Sequence, residues 1–217
     1  MPVEVLALFS GKARPFARGE SSAIAKMPLE GRVKIGFLGI EGDEQADPRY
    51  HGGPDKALHH YPADHYAHWG TIAVDHPLLN APGTFGENIS TWGLTEDAVC
   101  IGDRFRLGSA LIEVSQGRQP CWKQGHQMNW KALPALMVRE RRSGWYYRVI
   151  EEGVAKAGDT LSLMEHPLPD WRVRRVFGVL IGGDHKTDPS ALKELAAMEL
   201  LEAGWRKLAA RLLEGKR

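Results

Sequence analysis

Cys121 stands in Gln116-Gly117-Arg118-Gln119-Pro120-Cys121-Trp122-Lys123, directly after the strand-like run Ala110 to Ser115. A thiol just past a strand end is presented rather than packed away. Arg118 and Lys123 flank it. Nearby cations lower a thiol's pKa and favour the nucleophilic, metal-binding thiolate. Pro120 fixes the backbone angle just before it. Two readings of Cys121 stand at this point: a thiol placed for chemistry, or an ordinary buried one, since free cysteine is often buried. Cys100, in Asp97-Ala98-Val99-Cys100-Ile101, reads as small apolar filling.

A second group runs Asp47-Pro48-Arg49-Tyr50-His51-Gly52-Gly53-Pro54-Asp55-Lys56, just after Gly42-Asp43. Gly52 and Gly53 let backbone N–H groups approach an anion, and His51 and Lys56 bracket them. That is a cradle for a phosphate, or else a tight turn with solvated charges. The Gly-Lys-Ser/Thr order of a Walker loop is absent. A third group is Gly83-Thr84-Phe85-Gly86-Glu87-Asn88. Its Asn and Glu offer donors and acceptors to a flat heterocycle, or the loop only turns.

Histidines cluster at 51, 59, 60, 65 and 68. His65 and His68 share a helical face, but no His-Glu-x-x-His pattern or paired cysteines support zinc. No Gly-x-Ser-x-Gly elbow marks a serine hydrolase. Cys121 as nucleophile with His51 as base stays open, because such groups assemble across sequence.

The elements that must hold these residues are short. Glycine is abundant, and Gly42-Asp43, Gly52-Gly53, Gly86-Glu87, Gly102-Asp103 and Gly158-Asp159 mark turns. Many turns between short apolar runs predict an irregular β-barrel. Val3 to Phe9 reads as a strand, Gly11 to Gly31 as a long loop and Arg32 to Ile40 as a second strand. Lys56 to Trp69 reads as helical with a break at Pro62. Arg104 to Leu107 and Ala110 to Val114 form a hairpin about Gly108-Ser109. Thr160 to Met164 is a further strand, and Asn129 to Arg142 is a helix across the barrel.

After His166-Pro167-Leu168-Pro169 the pattern becomes helical. Asp170 caps a first helix, ended by Gly182-Gly183. Asp188 caps a second with Pro189 in its first position. Gly204 lies near the start of a third. These divide the chain into a β-barrel domain, 1–166, and a three-helix extension, 167–217. Three short helices bury little alone, so they pack on the barrel or on a second subunit, as in a homodimer.

The whole chain has 217 residues and a net charge of +1. No global field draws it to a nucleic acid polymer or an anionic membrane. No apolar stretch approaches the roughly 20 residues of a membrane span. Two cysteines make no disulfide framework, and the first residues carry no secretory signal pattern. A soluble, reducing, cytoplasmic setting fits.

Five stretches in order carry a resemblance: Gly39 to Asp47, His51 to Ala57, Phe85 to Asn88, Ile101 to Asp103, and Arg118-Gln119-Pro120-Cys121. They resemble the MOSC-domain family and, within it, the YiiM-like branch, whose three-helix tail the closing helices also resemble. The resemblance covers nearly the whole chain. It implies a barrel similar to the C-terminal domain of molybdenum-cofactor sulfurases. It implies that Cys121 ligates molybdenum in the pterin cofactor (molybdopterin), and that N-hydroxylated bases such as 6-hydroxylaminopurine are reduced to amines, detoxifying them. A thiolate suits a metal already held by dithiolene sulfurs.

His51, Lys56 and Arg118 become candidates for the pterin and its phosphate, with Gly52 and Gly53 in the same loop. Asn88 becomes a hydrogen-bonding candidate; Arg14, Lys26 and Arg148 are further basic residues near the mouth. The cysteines of a ferredoxin-like module fused to some relatives are absent, which implies a separate electron-donor protein. Two alternatives remain: a carrier of cofactor or sulfur without turnover, and a metal-free cysteine-nucleophile enzyme.

Overall fold

Seven strands account for most of the core: Val3–Ser10 (β1), Leu58–His60 (β2), Ile89–Thr91 (β3), Arg104–Leu107 (β4), Ala110–Gly117 (β5), Trp145–Glu151 (β6) and Thr160–Glu165 (β7). The structure, a computed structural model, describes residues 2–215 apart from the side chains of Arg49 and Tyr50. The strands lie in the order β7-β4-β5-β6-β2-β3-β1. Pairing of Val3 with Leu161 joins β1 back to β7 and closes the barrel. Closure removes the open edges that would otherwise invite pairing with another chain. Neighbours are antiparallel except β2 and β3, which meet in parallel at His60 and Ile89.

The expected β-barrel with a helical tail is therefore present. The hairpin of β4 and β5 turns at Gly108, whose φ is 55°. Every residue of β5 is buried. Its inner side chains fill the barrel, and the tail covers its outer side, so both faces are dry. The tail docks there through the Glu202 N–H, which donates to the Ser115 carbonyl at 3.0 Å.

Several expectations change. Leu58–His60 is a strand rather than the first half of a helix. Short apolar runs suit either element, and here Trp145, Tyr146 and Tyr147 supply the ladder partners. The helix begins only at Ala63 (α1, Ala63–Ile72), with Pro62 at its N-cap. Arg32 to Ile40 is a small hairpin, Val33–Gly36 with Gly39–Ile40, rather than one strand. Gly39 makes it: φ is 118°, and a Cβ there would lie 2.4 Å from the Ala57 carbonyl oxygen. The loop from Gly11 to Gly31 contains its own two-residue strands, Arg14–Pro15 and Ser21–Ser22.

Between β5 and β6 lie two helices, Trp122–Gln127 (α2) and Leu133–Glu140 (α3). Tyr61, Trp69 and Phe85 pack with Leu133 and Met137 in a small second core. The tail comprises Val173–Phe177 (α4), continued by a wider turn to Gly182, then Pro189–Ala197 (α5) and Ala203–Leu213 (α6). Arg172, not Asp170, stands at the N-cap of α4. Asp188 does cap α5, accepting from the Ala191 N–H. Val173, Phe177, Leu192 and Leu195 join the barrel's own core. Each such burial contributes about 1.5–3 kcal/mol before entropy is counted. No helix among the described residues is long and apolar enough to cross a membrane.

Candidate functional site

β5 ends at Gly117, and the chain turns at Arg118 to Pro120 before α2 begins. The Arg118 N–H donates to the Gly144 carbonyl at 3.0 Å, extending the β5–β6 contact by one residue. Gly144 is itself held from behind. Glu96 accepts the N–H groups of Ser143 and Gly144 at 2.9 and 2.7 Å, and its other oxygen meets His65 Nε2 at 2.7 Å. Burial opposes its charge, yet His65 and the Gly144 N–H hold the carboxyl below its ordinary value.

Cys121 is the N-cap residue of α2, in extended conformation at φ −123°. Its N–H is accepted by Gln124 Oε1 at 2.8 Å. The thiol is half-buried. It faces a cleft whose wall also carries His51, Lys56, Asn88 and Arg118. The structure thus brings together residues that sequence reasoning drew from three separate segments. It adds His59, Lys123, Gln124 and Tyr146 to the same wall.

Several of these residues are placed otherwise than expected. Gly52 and Gly53 do not line the cleft, and the Gly52 N–H donates to the Pro48 carbonyl at 3.2 Å. The pair shapes a turn beside the cleft; Gly53 has φ 93°. Asn88 lines the wall, but its amide is engaged. Oδ1 accepts the His59 N–H at 3.1 Å, and Nδ2 donates to Phe9 O at 3.1 Å and to Asp43 Oδ2 at 2.9 Å. Those bonds hold the loop to the barrel.

Lys26 does line the cleft, where it forms a buried pair with Asp43 at 2.6 Å. Burial lowers its pKa, and Asp43 opposes that shift. Arg148 turns away to Asp55 and Glu113, at 2.6 and 2.8 Å, and Arg14 is exposed.

Two donors on the wall are free to receive a ligand. Arg118 Nη1 and Gln124 Nε2 are buried with no hydrogen-bond partner among the described residues. Buried donors left unpaired are costly, so such atoms ask for an acceptor. Lys123 Nζ donates to Ser21 O at 2.8 Å and meets Glu20 at 3.1 Å. That contact draws the Arg14–Ser22 hairpin over α2, where Arg18 sits 4.4 Å above the Trp122 ring.

Burial, then the charges of Arg118, Lys123 and Lys56, depress the His51 pKa to about 4. At neutral pH His51 is an uncharged hydrogen-bonding group rather than a cation. Burial raises the Tyr146 hydroxyl, with Arg118 pulling the other way. A second, shallower cleft adjoins the first and shares His51, Lys56, Cys121 and Tyr146 with it.

His60 has a structural place inside the barrel. The His60 ring lies between Tyr147 Oη and Thr91 Oγ1, at 3.1 and 2.9 Å. Cys100 is buried, its thiol donating to Pro169 O at 3.4 Å. Burial and Asp103 push that thiol up to about 11, as befits a packing residue.

The MOSC domain matches residues 47–162, more than half of the chain. The chain belongs to the MOSC domain family. This MOSC protein is 44% identical to Protein YiiM of Escherichia coli (strain K12) over 163 residues, covering 75% of the chain and 71% of that protein. It is 37% identical to a protein named Reductase from Gibberella moniliformis over 182 residues, 82% of the chain but only 32% of that much longer protein. The crystal structure of YiiM from Escherichia coli superposes with a TM-score of 0.81 at 32% identity, covering 100% of this chain and 94% of that one.

Of the wall residues that sequence reasoning missed, Gln124 left a signal. A Gln three residues after an N-cap is one half of a capping box. His59 and Tyr146 left none, because each reaches the cleft from a strand distant in sequence.

Proposed function

We propose that this MOSC protein binds the molybdenum cofactor and reduces N-hydroxylated compounds, such as 6-hydroxylaminopurine, to amines. The residues present fit that group. Cys121 offers a soft sulfur donor, suited to a metal held by dithiolene sulfurs. Arg118 Nη1 and Gln124 Nε2 are unpartnered donors on the same wall, suited to the carbonyl and ring nitrogens of a pterin. Lys56 and Lys123 also line the cleft, where an anionic phosphate needs positive charge.

The observation that carries the reading is Cys121 on the wall common to both clefts, beside those free donors. When bound, the cofactor supplies the two-electron chemistry. The overall change takes an N-hydroxylamine, two electrons and two protons to an amine and water. Cys121 anchors, Arg118 and Gln124 orient, and neutral His51 accepts a hydrogen bond from the substrate hydroxyl. The electrons come from a separate donor protein. The relatives named YiiM and Reductase support the coarser part of this reading, an oxidoreductase of this family.

The test is metal analysis of protein made in a host that synthesises the cofactor, followed by single-turnover reduction of 6-hydroxylaminopurine. Stoichiometric molybdenum with reduction is expected. Activity without molybdenum overturns the reading, and molybdenum without turnover favours a carrier.

A further inference from the structure

Three ligand-type side chains gather away from both clefts, where the barrel meets the tail. Cys100 Sγ, a carboxylate oxygen of Asp103 and a ring nitrogen of His166 lie within 4.8 Å of one another. None of the three lines either cleft. Local sequence builds two of the positions. Cys100 to Asp103 is a tight turn, with the Asp103 N–H donating to the Cys100 carbonyl at 3.2 Å. Gly102 permits it, at φ 80°. A Cβ there would lie 3.1 Å from Pro167 Cγ, so glycine also lets the chain after β7 come close. That chain delivers His166, one residue past the end of β7 at Glu165.

Backbone contacts aim these groups at one another. The Cys100 N–H donates to Asp103 Oδ2 at 2.8 Å, and the other carboxylate oxygen meets His166 Nδ1 at 2.6 Å. The Asp103 side chain is 1% exposed and that of His166 41%, so the cluster is walled on the protein side and open to solvent on the other. The Cys100 thiol donates to Pro169 O at 3.4 Å. Protonated, it packs; as a thiolate, it ligates. The tail is joined to the same turn. The Ile101 N–H donates to Trp171 O at 3.0 Å, and the Val173 N–H to Val99 O at 2.8 Å.

One sulfur, one imidazole nitrogen and one carboxylate oxygen are the donors that zinc takes in tetrahedral geometry. Calcium and magnesium prefer oxygen alone. Zinc at about 2.0–2.3 Å from each donor holds the donors about 3.3–3.8 Å apart. His166 and Asp103 therefore separate by about 1 Å to admit it, a movement open to a ring that solvent reaches. Asp170 and Arg172 also act on the thiol, with opposite signs.

We propose that Cys100, Asp103 and His166 form a zinc site, with water in the fourth position, that clips the start of the helical tail to the barrel. On binding, the thiol proton passes to solvent, the bond to Pro169 O is given up and a zinc–sulfur bond forms. No electrons are transferred. The site shares no residue with the clefts, so it stands or falls apart from the cofactor reading.

The test is titration of the purified chain, stripped of divalent ions by a chelator, with zinc chloride and separately with cobalt chloride. One zinc per chain is expected, and cobalt(II) gives a thiolate-to-metal charge-transfer band. His166→Ala and Cys100→Ser each weaken zinc binding about 10-fold or more, at least the effect of losing a ligand's supporting contact. Cys100→Ser also abolishes the cobalt band. Cys121→Ala keeps the zinc and the band, which separates this site from the other thiol. Zinc at about 100 times its Kd raises the melting temperature of the wild type by about 5–10 °C, and that of His166→Ala by about half as much or less.

Circular dichroism checks that the variants fold. If Cys100→Ser does not, His166→Ala decides, because its side chain stands largely outside the core. A wild type that binds no zinc, or His166→Ala binding as tightly as wild type, overturns the site. So does a cobalt band that survives Cys100→Ser and is lost in Cys121→Ala.

Discussion

Gln124 accepts the Cys121 N–H through Oε1 at 2.8 Å, while its Nε2 lies buried and unpartnered on the wall that Cys121 faces. One amide therefore both fixes the backbone that carries the thiol and offers a donor to whatever the thiol binds. The two jobs use opposite ends of the group, so they are separable by substitution.

Gln124→Glu keeps an acceptor for the Cys121 N–H but removes the donor and adds negative charge. Stability should change by less than about 1 kcal/mol, the typical worth of a cap. Molybdenum retention should fall about 10-fold, the effect of roughly 1.4 kcal/mol. Gln124→Met loses both ends and should lower both quantities. The measurements are the molybdenum-to-protein ratio and the denaturant midpoint; equal metal content in wild type and Gln124→Glu would remove the donor role.

The two cysteines separate chemistry from packing. Cys121→Ala removes a half-buried thiol and should leave the fold intact while abolishing molybdenum retention. Cys100→Ala removes a fully packed group and should keep the metal, with a loss of about 1 kcal/mol, the centre of the range for point substitutions. Metal analysis and thermal unfolding of both variants check this, and stoichiometric molybdenum in Cys121→Ala would be decisive against the metal-ligand role.

Acid should destabilise the protein before its carboxylates titrate. In the unfolded chain His51 takes a proton near its ordinary value of 6.5, but burial and three neighbouring cations depress its folded value to about 4. His60 is depressed by burial to about 3. Between pH 6.5 and 4 the unfolded state binds more protons, so stability falls as pH falls through that window. His51→Gln should flatten part of the slope. Denaturant midpoints from pH 7 to 4.5 test it; identical slopes in wild type and His51→Gln would refute the assignment.

How far the sequence reaches is seen residue by residue. The β4–β5 hairpin was readable because its alternation and glycine turn are local. Cys121, Arg118 and Lys123 were readable because they lie within one turn of a strand end. Strand β2 was not, because its identity rests on Trp145, Tyr146 and Tyr147, far along the chain. His60 is one of a histidine cluster in sequence, and only the fold supplies Tyr147 and Thr91 to satisfy it. Trp205 reads as one apolar position of a helix; nothing local says that its edge reaches a cleft beside Cys121.

The pair Lys26–Asp43 gives the sharpest stability test, because it anchors the wall from inside. Asp43 Oδ1 accepts the Gly11 N–H at 2.7 Å, and Oδ2 accepts from Lys26 and from Asn88. Asp43→Leu leaves a buried ammonium without its partner and strands the Gly11 N–H, so it should cost about 3–5 kcal/mol, as for one broken side of a buried ion pair. Lys26→Met leaves a carboxylate that still has Gly11 and Asn88 as donors, so its cost should be nearer 1–3 kcal/mol, roughly one strong hydrogen bond. For a chain of this length about 2–4 °C is lost per kcal/mol, so the two variants should melt several degrees apart. The double variant should be no less stable than Asp43→Leu alone, since removing the ammonium also removes its unpaired charge. Melting curves of the three variants decide the matter, and a double variant losing the sum of both single costs would show that the two groups do not act as a pair.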